Sequence, residues 1–74
     1  MHSFPLTFRE VRRRLEYFGF NIVSQKGSHI KFAKISEEST ITAIVPHHKE
    51  ISVGTIKSIL KQAFIDEEDF YSLK

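Results

Sequence analysis

The chain has 74 residues, close to the size at which one hydrophobic core is only just sufficient, so a single domain over residues 1–74 is expected. Hydrophobic residues make up 41% and charged residues 27%, which argues against disorder, and the absence of Cys excludes disulfides and Cys-based zinc sites. No apolar run approaches about 18 residues and no leader-like segment opens the chain, so we expect a cytoplasmic protein with no membrane partner.

The net charge of +2 conceals an uneven distribution along the chain. Residues 1–35 carry seven Lys or Arg against two Glu, a net charge of +5, whereas residues 36–74 carry four Lys against seven acidic residues, a net charge of −3. A basic half beside an acidic half favours an anionic ligand on the basic side. The same charges would also occur on a solvated helix face, and charge alone leaves both interpretations open.

The first predicted element is a helix that begins after Thr7. Thr7 and Glu10 have the spacing of a capping box, in which the Thr hydroxyl accepts from the Glu10 amide and the Glu10 side chain reaches back. Glu10 and Arg14 have the i,i+4 spacing of an ion pair, and Gly19 is placed to end the helix. The apolar residues that recur at helical spacing, and that are expected to be buried, are Phe8, Val11, Leu15 and Phe18.

Three strands are predicted next, at residues 20–26, 29–35 and 40–45. The first and third are rich in β-branched residues, and the second alternates apolar and polar residues. Gly27-Ser28 predicts a tight turn between the first two strands, and the polar residues 36–39 predict the second turn. These short connections predict an antiparallel meander with one face exposed to solvent.

Two helices are predicted to complete the domain. Ser52 is a candidate N-cap for the first of them, and Asp66 for a short last helix whose Phe70 and Leu73 pack back on the core. The expected buried face of the longer helix consists of Val53, Ile56, Ile59, Leu60 and Ala63. The order α-β-β-β-α with a short C-terminal helix predicts an α+β domain, in which a three-stranded antiparallel sheet carries helices on one face.

The second predicted strand separates its side chains into two faces, because residues alternate across a sheet. Ile30 and Phe32 are expected to point toward the helices, whereas His29 and Lys31 share the open face about 7 Å apart. Lys26 lies beside them across the turn. An imidazole and two ammonium groups are therefore expected together on the exposed side of the sheet.

The turn before His29 offers groups that bind phosphate. Gly27 lets a ligand approach the backbone closely, and the Ser28 hydroxyl and nearby amides can donate hydrogen bonds. An imidazole can take the proton of a ribose 2′-hydroxyl or give one to the leaving 5′-oxygen, while Lys side chains stabilise the phosphate charge. The set fits RNA cleavage without a metal or other cofactor, because the 2′-hydroxyl is the nucleophile. An exposed strand histidine without a function is the alternative that residue types alone leave open.

The other histidines do not predict a metal site. His47 and His48 are adjacent, so in an extended chain their side chains point apart, and no metal-ligand spacing completes a set. One of them could serve as a second acid/base group or phosphate contact after Pro46, against the alternative of a surface loop. No inference is drawn from His2.

Several segments together resemble a known family. The segments are SQKGSHIKF (24–32), VPHH (45–48), EISVGTIKSILKQA (50–63) and IDEEDF (65–70). In order and spacing they are similar to the HicA (YcfA-like) toxins, the small partners in bacterial and archaeal toxin–antitoxin pairs. The resemblance extends over nearly the whole chain, from about Val11 to Phe70.

The resemblance implies a fold like that of the double-stranded-RNA-binding domain. It also implies cleavage of mRNA without a ribosome, with His29 as the catalytic residue, and an antitoxin of the HicB family that covers His29. The histidine of the family's Pro-x-His segment corresponds to His48, a possible secondary site residue. In this interpretation Lys26, Gly27, Ser28 and Lys31 contact phosphates.

Two residues of the first helix, Arg12 and Arg13, point away from the apolar stripe and are expected to be peripheral RNA contacts.

The sequence departs from the family pattern at Phe64, which stands where the family usually has Gly. A Phe does not take a left-handed conformation without cost. The second long helix is therefore expected to run on or to end differently here.

Two other function classes remain open at this stage. A non-catalytic RNA-binding module of the same fold would bind RNA without His29, and its binding would weaken as salt rises. A pure interaction protein would only bind an antitoxin-like regulator.

Overall fold

The computed structural model describes residues 3–74, so His2 lies outside the described residues. Its elements are β1 (Leu6–Thr7), α1 (Phe8–Tyr17), β2 (Asn21–Lys26), β3 (His29–Ile35), β4 (Thr40–Pro46), β5 (Glu50–Ile51), α2 (Val53–Ala63) and α3 (Glu67–Tyr71). Strands β2, β3 and β4 form an antiparallel sheet in that order. The predicted α+β class, with its α-β-β-β-α order and short C-terminal helix, is confirmed. No helix within residues 3–74 has both the length and the apolar character needed to cross a membrane.

Helix α1 begins as the capping pattern predicts, but only half of the capping box forms. The Thr7 hydroxyl accepts from the Glu10 amide at 3.1 Å. The Glu10 carboxylate turns the other way, to Arg13 at 3.1 Å and Arg14 at 3.6 Å. Two guanidinium groups attract the carboxylate more strongly than one neutral backbone amide does.

Helix α1 ends at the predicted glycine through two backbone hydrogen bonds. The Gly19 amide donates to the Glu16 carbonyl and the Phe20 amide donates to the Leu15 carbonyl, each at 3.0 Å. This pair of bonds is a Schellman motif, which requires a left-handed residue after the cap, and Gly19 has φ of +95°. The reversal directs the chain into β2.

The hydrophobic core lies between one face of the sheet and the helices. Its largest fully buried side chains are Phe20, Phe32, Phe70, Leu15, Ile30, Ile51, Ile56, Ile59, Val11 and Val45. Among residues 3–74, Arg14 is the one charged residue that is buried. Its guanidinium donates to the Phe70 carbonyl at 2.7 Å and lies 5.8 Å from the centre of the Phe70 ring. Arg14 thereby joins α1 to α3.

A second, two-stranded sheet was not predicted. In it β1 pairs antiparallel with β5, so that Leu6 faces Ile51 and Thr7 faces Glu50. Two-residue strands show no alternation that a sequence pattern can reveal. The pairing brings the start of α1 next to the segment that follows β4.

The expectation for the end of α2 was wrong. Phe64 adopts the left-handed conformation, with φ of 56° and ψ of 41°, and the helix ends at Ala63. The Ile65 amide bonds to the Leu60 carbonyl at 3.1 Å, which closes the last turn around Phe64. The Phe64 side chain is 83% exposed. The closing hydrogen bond and the packing of Ile65 and Leu60 on the core offset the cost of the left-handed Phe.

Candidate nucleic-acid interface

A two-residue turn places His29 at the end of the β2–β3 hairpin. Lys26 and His29 are directly paired across it. Gly27 has φ of +60° while Ser28 does not have positive φ, the combination that a type II′ hairpin turn requires. An added Cβ on Gly27 would meet nothing within 4 Å. The backbone of the turn is therefore open to a ligand from outside.

A β-bulge at Val23 decides which β2 side chains face outward. The pairing register shifts between Ile22, which faces Phe32, and Ser24, which faces Lys31. Without the shift, alternation would place Ile22 and Ser24 on the same face. With the shift, Ile22 packs against the core and Ser24 joins the exposed face.

The outer face of the sheet brings together most of the predicted site. His29, Lys26 and Lys31 are all exposed on it. Directly paired side chains have Cβ atoms about 5 Å apart, so the Lys26 and His29 side chains begin as close neighbours. Among residues 3–74 no side chain hydrogen-bonds the His29 imidazole. Three basic groups, one of them an imidazole, thus share one open surface.

The segment after β4 lies directly beside the turn. Pro46 is paired with His29, and the His47 amide donates to the Ser28 carbonyl at 2.6 Å. The His47 ring packs on Phe8, with ring centres 4.5 Å apart. His48, the possible secondary residue, is exposed one residue further along. The structure therefore brings both histidines close to the predicted site.

The two arginines predicted as peripheral contacts lie elsewhere. Arg12 and Arg13 are on α1, which packs on the inner side of the sheet, not on the face that carries His29. Arg12 pairs with Glu16 at 3.2 Å, and Arg13 pairs with Glu10. The hydrogen bond from Arg13 lowers the pKa of the Glu10 carboxyl, which stays charged and balances the arginine near neutral pH.

Three residues near the site were missed by the sequence analysis. Ser24 reaches the outer face only because of the bulge. Arg9 and Lys49 lie near His47 because β1 pairs with β5. The sequence gives no signal that Arg9 and Lys49 are close, because they are far apart in the chain and the two strands that bring them together have only two residues each. Among residues 3–74, no group of three or more His, Asp or Glu side chains is placed to hold a metal ion.

Comparison with known proteins identifies the family. The family model described as "HicA toxin of bacterial toxin-antitoxin" matches residues 8–65, well over half of the chain. The matched range contains the Gly27-Ser28-His29 turn, the whole three-stranded sheet and α2. A search of curated proteins gave no match. The chain therefore belongs to the HicA toxin family of toxin–antitoxin systems.

Proposed function

We propose that this chain is a metal-independent endoribonuclease that cleaves mRNA, with His29 as general acid/base, and that a HicB-type antitoxin neutralises it. The observation that carries the proposal is the position of His29. Its imidazole is exposed beside a hairpin turn, with Lys26 paired across from it and Lys31 two residues along β3, on the sheet face opposite the helices. Membership of the HicA toxin family supports a toxic activity for this surface.

The proposed reaction uses the ribose of the substrate as nucleophile. His29 takes the proton of a 2′-hydroxyl, the 2′-oxygen bonds to the adjacent phosphorus, and the bond from phosphorus to the 5′-oxygen breaks. The leaving 5′-oxygen takes a proton from the imidazolium or from water. The products are a 2′,3′-cyclic phosphate and a 5′-hydroxyl end. DNA lacks the 2′-hydroxyl and is not a substrate.

The neighbours of His29 supply charge stabilisation in this proposal. Lys26 and Lys31 approach the phosphate from the two sides of the imidazole, and the Ser28 hydroxyl and the open Gly27 backbone contact its oxygens. Both ammonium groups are exposed before RNA binds, so they attract the backbone at long range. Arg12 and Arg13 contribute only at the periphery, because each already pairs with a carboxylate.

The shape of the surface favours flexible, single-stranded RNA. The His29 face is an open sheet and not a deep cleft, so few contacts are available to select a sequence or to exclude water. We therefore expect modest turnover and broad sequence preference. The antitoxin that neutralises such a surface has to cover it physically, and we expect a HicB-type protein to lie across His29. We assign the activity to the cytoplasm, where mRNA is accessible.

The test is a cleavage assay with purified protein in the presence of a metal chelator. Wild type, His29→Ala and Thr40→Ala are each incubated with an end-labelled RNA and with DNA of the same sequence. Thr40 is a matched control because it is exposed on the same face, paired with Ile35 at the far end of β3. We expect wild type and Thr40→Ala to cleave RNA only, and His29→Ala to be slower by about 10²–10⁴-fold.

Three results would contradict the proposal. Cleavage by folded His29→Ala at the wild-type rate would remove His29 from the chemistry. Cleavage that stops with the chelator and returns with a divalent ion would remove metal independence. If wild type binds RNA without cutting it, and His29→Ala binds equally well, the chain is a binding module instead.

A further inference from the structure

A shallow groove lies beside the His29 turn, between the start of α1 and the segment that joins β4 to β5. It has a volume of about 400 Å³ and is lined by Thr7, Phe8, Arg9, His47, His48 and Lys49. The β1–β5 pairing forms it, because Thr7 is held opposite Glu50. The His47 and Phe8 rings, whose centres are 4.5 Å apart, are part of its lining.

The charged residues that line this groove are all basic. Arg9 and Lys49 are exposed, and no carboxylate among residues 3–74 forms an ion pair with either of them. Arg12 and Arg13 on the same helix differ, because both pair with Glu side chains. The lining includes two histidines and no acidic residue. Glu50 is the next residue after Lys49 but is not part of the lining.

The groove is continuous with the surface that carries His29. The His47 amide bonds to the Ser28 carbonyl at 2.6 Å, and Pro46 is paired with His29. A ligand that extends from His29 past the turn therefore meets the groove next. A polyanion that follows this direction keeps basic side chains beside it from Lys31 to Arg9.

We propose that this groove binds backbone phosphates of the RNA segment adjoining the cleaved bond, with Arg9 and Lys49 as the principal phosphate ligands and His48 as a further donor. The inference rests on the proposed function for its substrate class. Phosphate contacts of this kind determine where a strand lies without reading its sequence. The groove gives the bound RNA a direction across the domain, which an open sheet face alone does not provide.

The test measures binding independently of cleavage. All proteins carry His29→Ala, and the probe is a fluorescent single-stranded RNA of mixed sequence, titrated by anisotropy over a series of salt concentrations. The groove variant is Arg9→Gln with Lys49→Gln. The control, Lys57→Gln with Lys61→Gln, removes the same charge from exposed positions of α2. A third protein, Arg9→Lys with Lys49→Arg, keeps the charges of the groove.

We expect the groove variant to bind more weakly and its slope of log affinity against log salt to fall by about 1.4, the loss of two phosphate contacts on a single strand. The control and the charge-keeping protein retain the parent slope to within a small change. Equal slopes for the groove variant and the control would overturn the proposal.

The outcomes separate this inference from the proposed function. If wild type cleaves RNA while the groove variant binds RNA as tightly as the His29→Ala parent, the groove proposal is contradicted and the ribonuclease proposal is supported. If the groove variant loses affinity but wild type, with His29 intact, does not cleave RNA, the groove proposal is supported and the ribonuclease proposal is contradicted. Absence of RNA binding by the parent would overturn both. Circular dichroism of each variant confirms that the fold is kept.

Discussion

The left-handed Phe64 at the end of α2 offers a direct test of how this domain stores backbone strain. We predict that Phe64→Gly stabilises the protein. A residue with a Cβ is strained by about 1–2 kcal/mol in this left-handed conformation, and glycine, which has no Cβ, is not. Glycine also gives the unfolded chain more freedom, which lowers stability by about 0.4–1 kcal/mol.

The packing of the Phe64 ring changes this balance little. The side chain is 83% exposed, so its removal uncovers only a small apolar area. Taken at the midpoints of the two ranges, about 1.5 less about 0.7, the expected net gain is about 0.8 kcal/mol in the free energy of unfolding. For a domain of this size 1 kcal/mol corresponds to about 4–8 °C in Tm, so the gain is measurable by calorimetry.

The matched variant is Phe64→Ala. Alanine removes the ring but keeps the Cβ, so it retains the strain and should be no more stable than the parent. Both changes are made with His29→Ala and compared by urea unfolding at neutral pH. If the Gly and Ala variants have the same free energy of unfolding, strain at this position is not what separates them, and the reasoning fails.

The remaining predictions concern three residues that join the helices to the rest of the domain. Arg14→Ala leaves the buried Phe70 carbonyl without its hydrogen-bond donor, so we expect the free energy of unfolding in urea to fall by about 2–3 kcal/mol. For the exposed Arg12→Ala we expect a fall of less than about 0.5 kcal/mol. Tyr71→Phe removes a 2.8 Å hydrogen bond to a backbone carbonyl, and we expect a loss of about 1 kcal/mol near pH 7. Burial raises the pKa of Tyr71 above its ordinary value of 10.0, so its contribution is complete below pH 10.0 and disappears as pH rises through the folded-state value. Alkaline titration of stability should therefore be less steep for Tyr71→Phe than for the exposed Tyr17→Phe. Ser52→Ala removes the N-cap of α2, and urea unfolding should show a loss of about 1 kcal/mol.

Each of these has a clear opposing result. Equal losses for the two arginine variants would mean that the buried carbonyl finds another donor. Identical alkaline profiles for the two tyrosine variants would mean that burial does not hold the Tyr71 proton. A Ser52→Ala protein as stable as its parent would mean that the hydroxyl bond to the Thr55 amide, 3.4 Å long, contributes nothing.

Local signals predicted the long elements well. Thr7, Ser52 and Asp66 all cap helices as expected, since a side-chain oxygen before an apolar helical stripe satisfies amides within a few residues. Gly27-Ser28 likewise forms the expected hairpin turn. These features depend on neighbours in the chain, so the sequence contains almost everything that they need.

The sequence predicted only part of the candidate site. His29, Lys26 and Lys31 lie within six residues, and their shared face follows from one turn and one alternating strand. The β1–β5 pairing was not predicted, because it joins segments more than forty positions apart through strands of two residues each. Arg9 and Lys49 therefore carried no signal of their nearness to the turn.

By itself the sequence determined the class of the fold, the caps, the hairpin and the family, because short-range spacing and a few motif residues encode all four. Only the tertiary structure decided the register of β2, the conformation of Phe64 and the basic groove. The bulge at Val23 arises because the turn sets one register at Lys26 and the core requires Ile22 inside. Phe64 is held left-handed because Ile65 and Leu60 pack on the core on either side of it. In each case contacts distant in the chain outweigh a local preference, and no local pattern records that result.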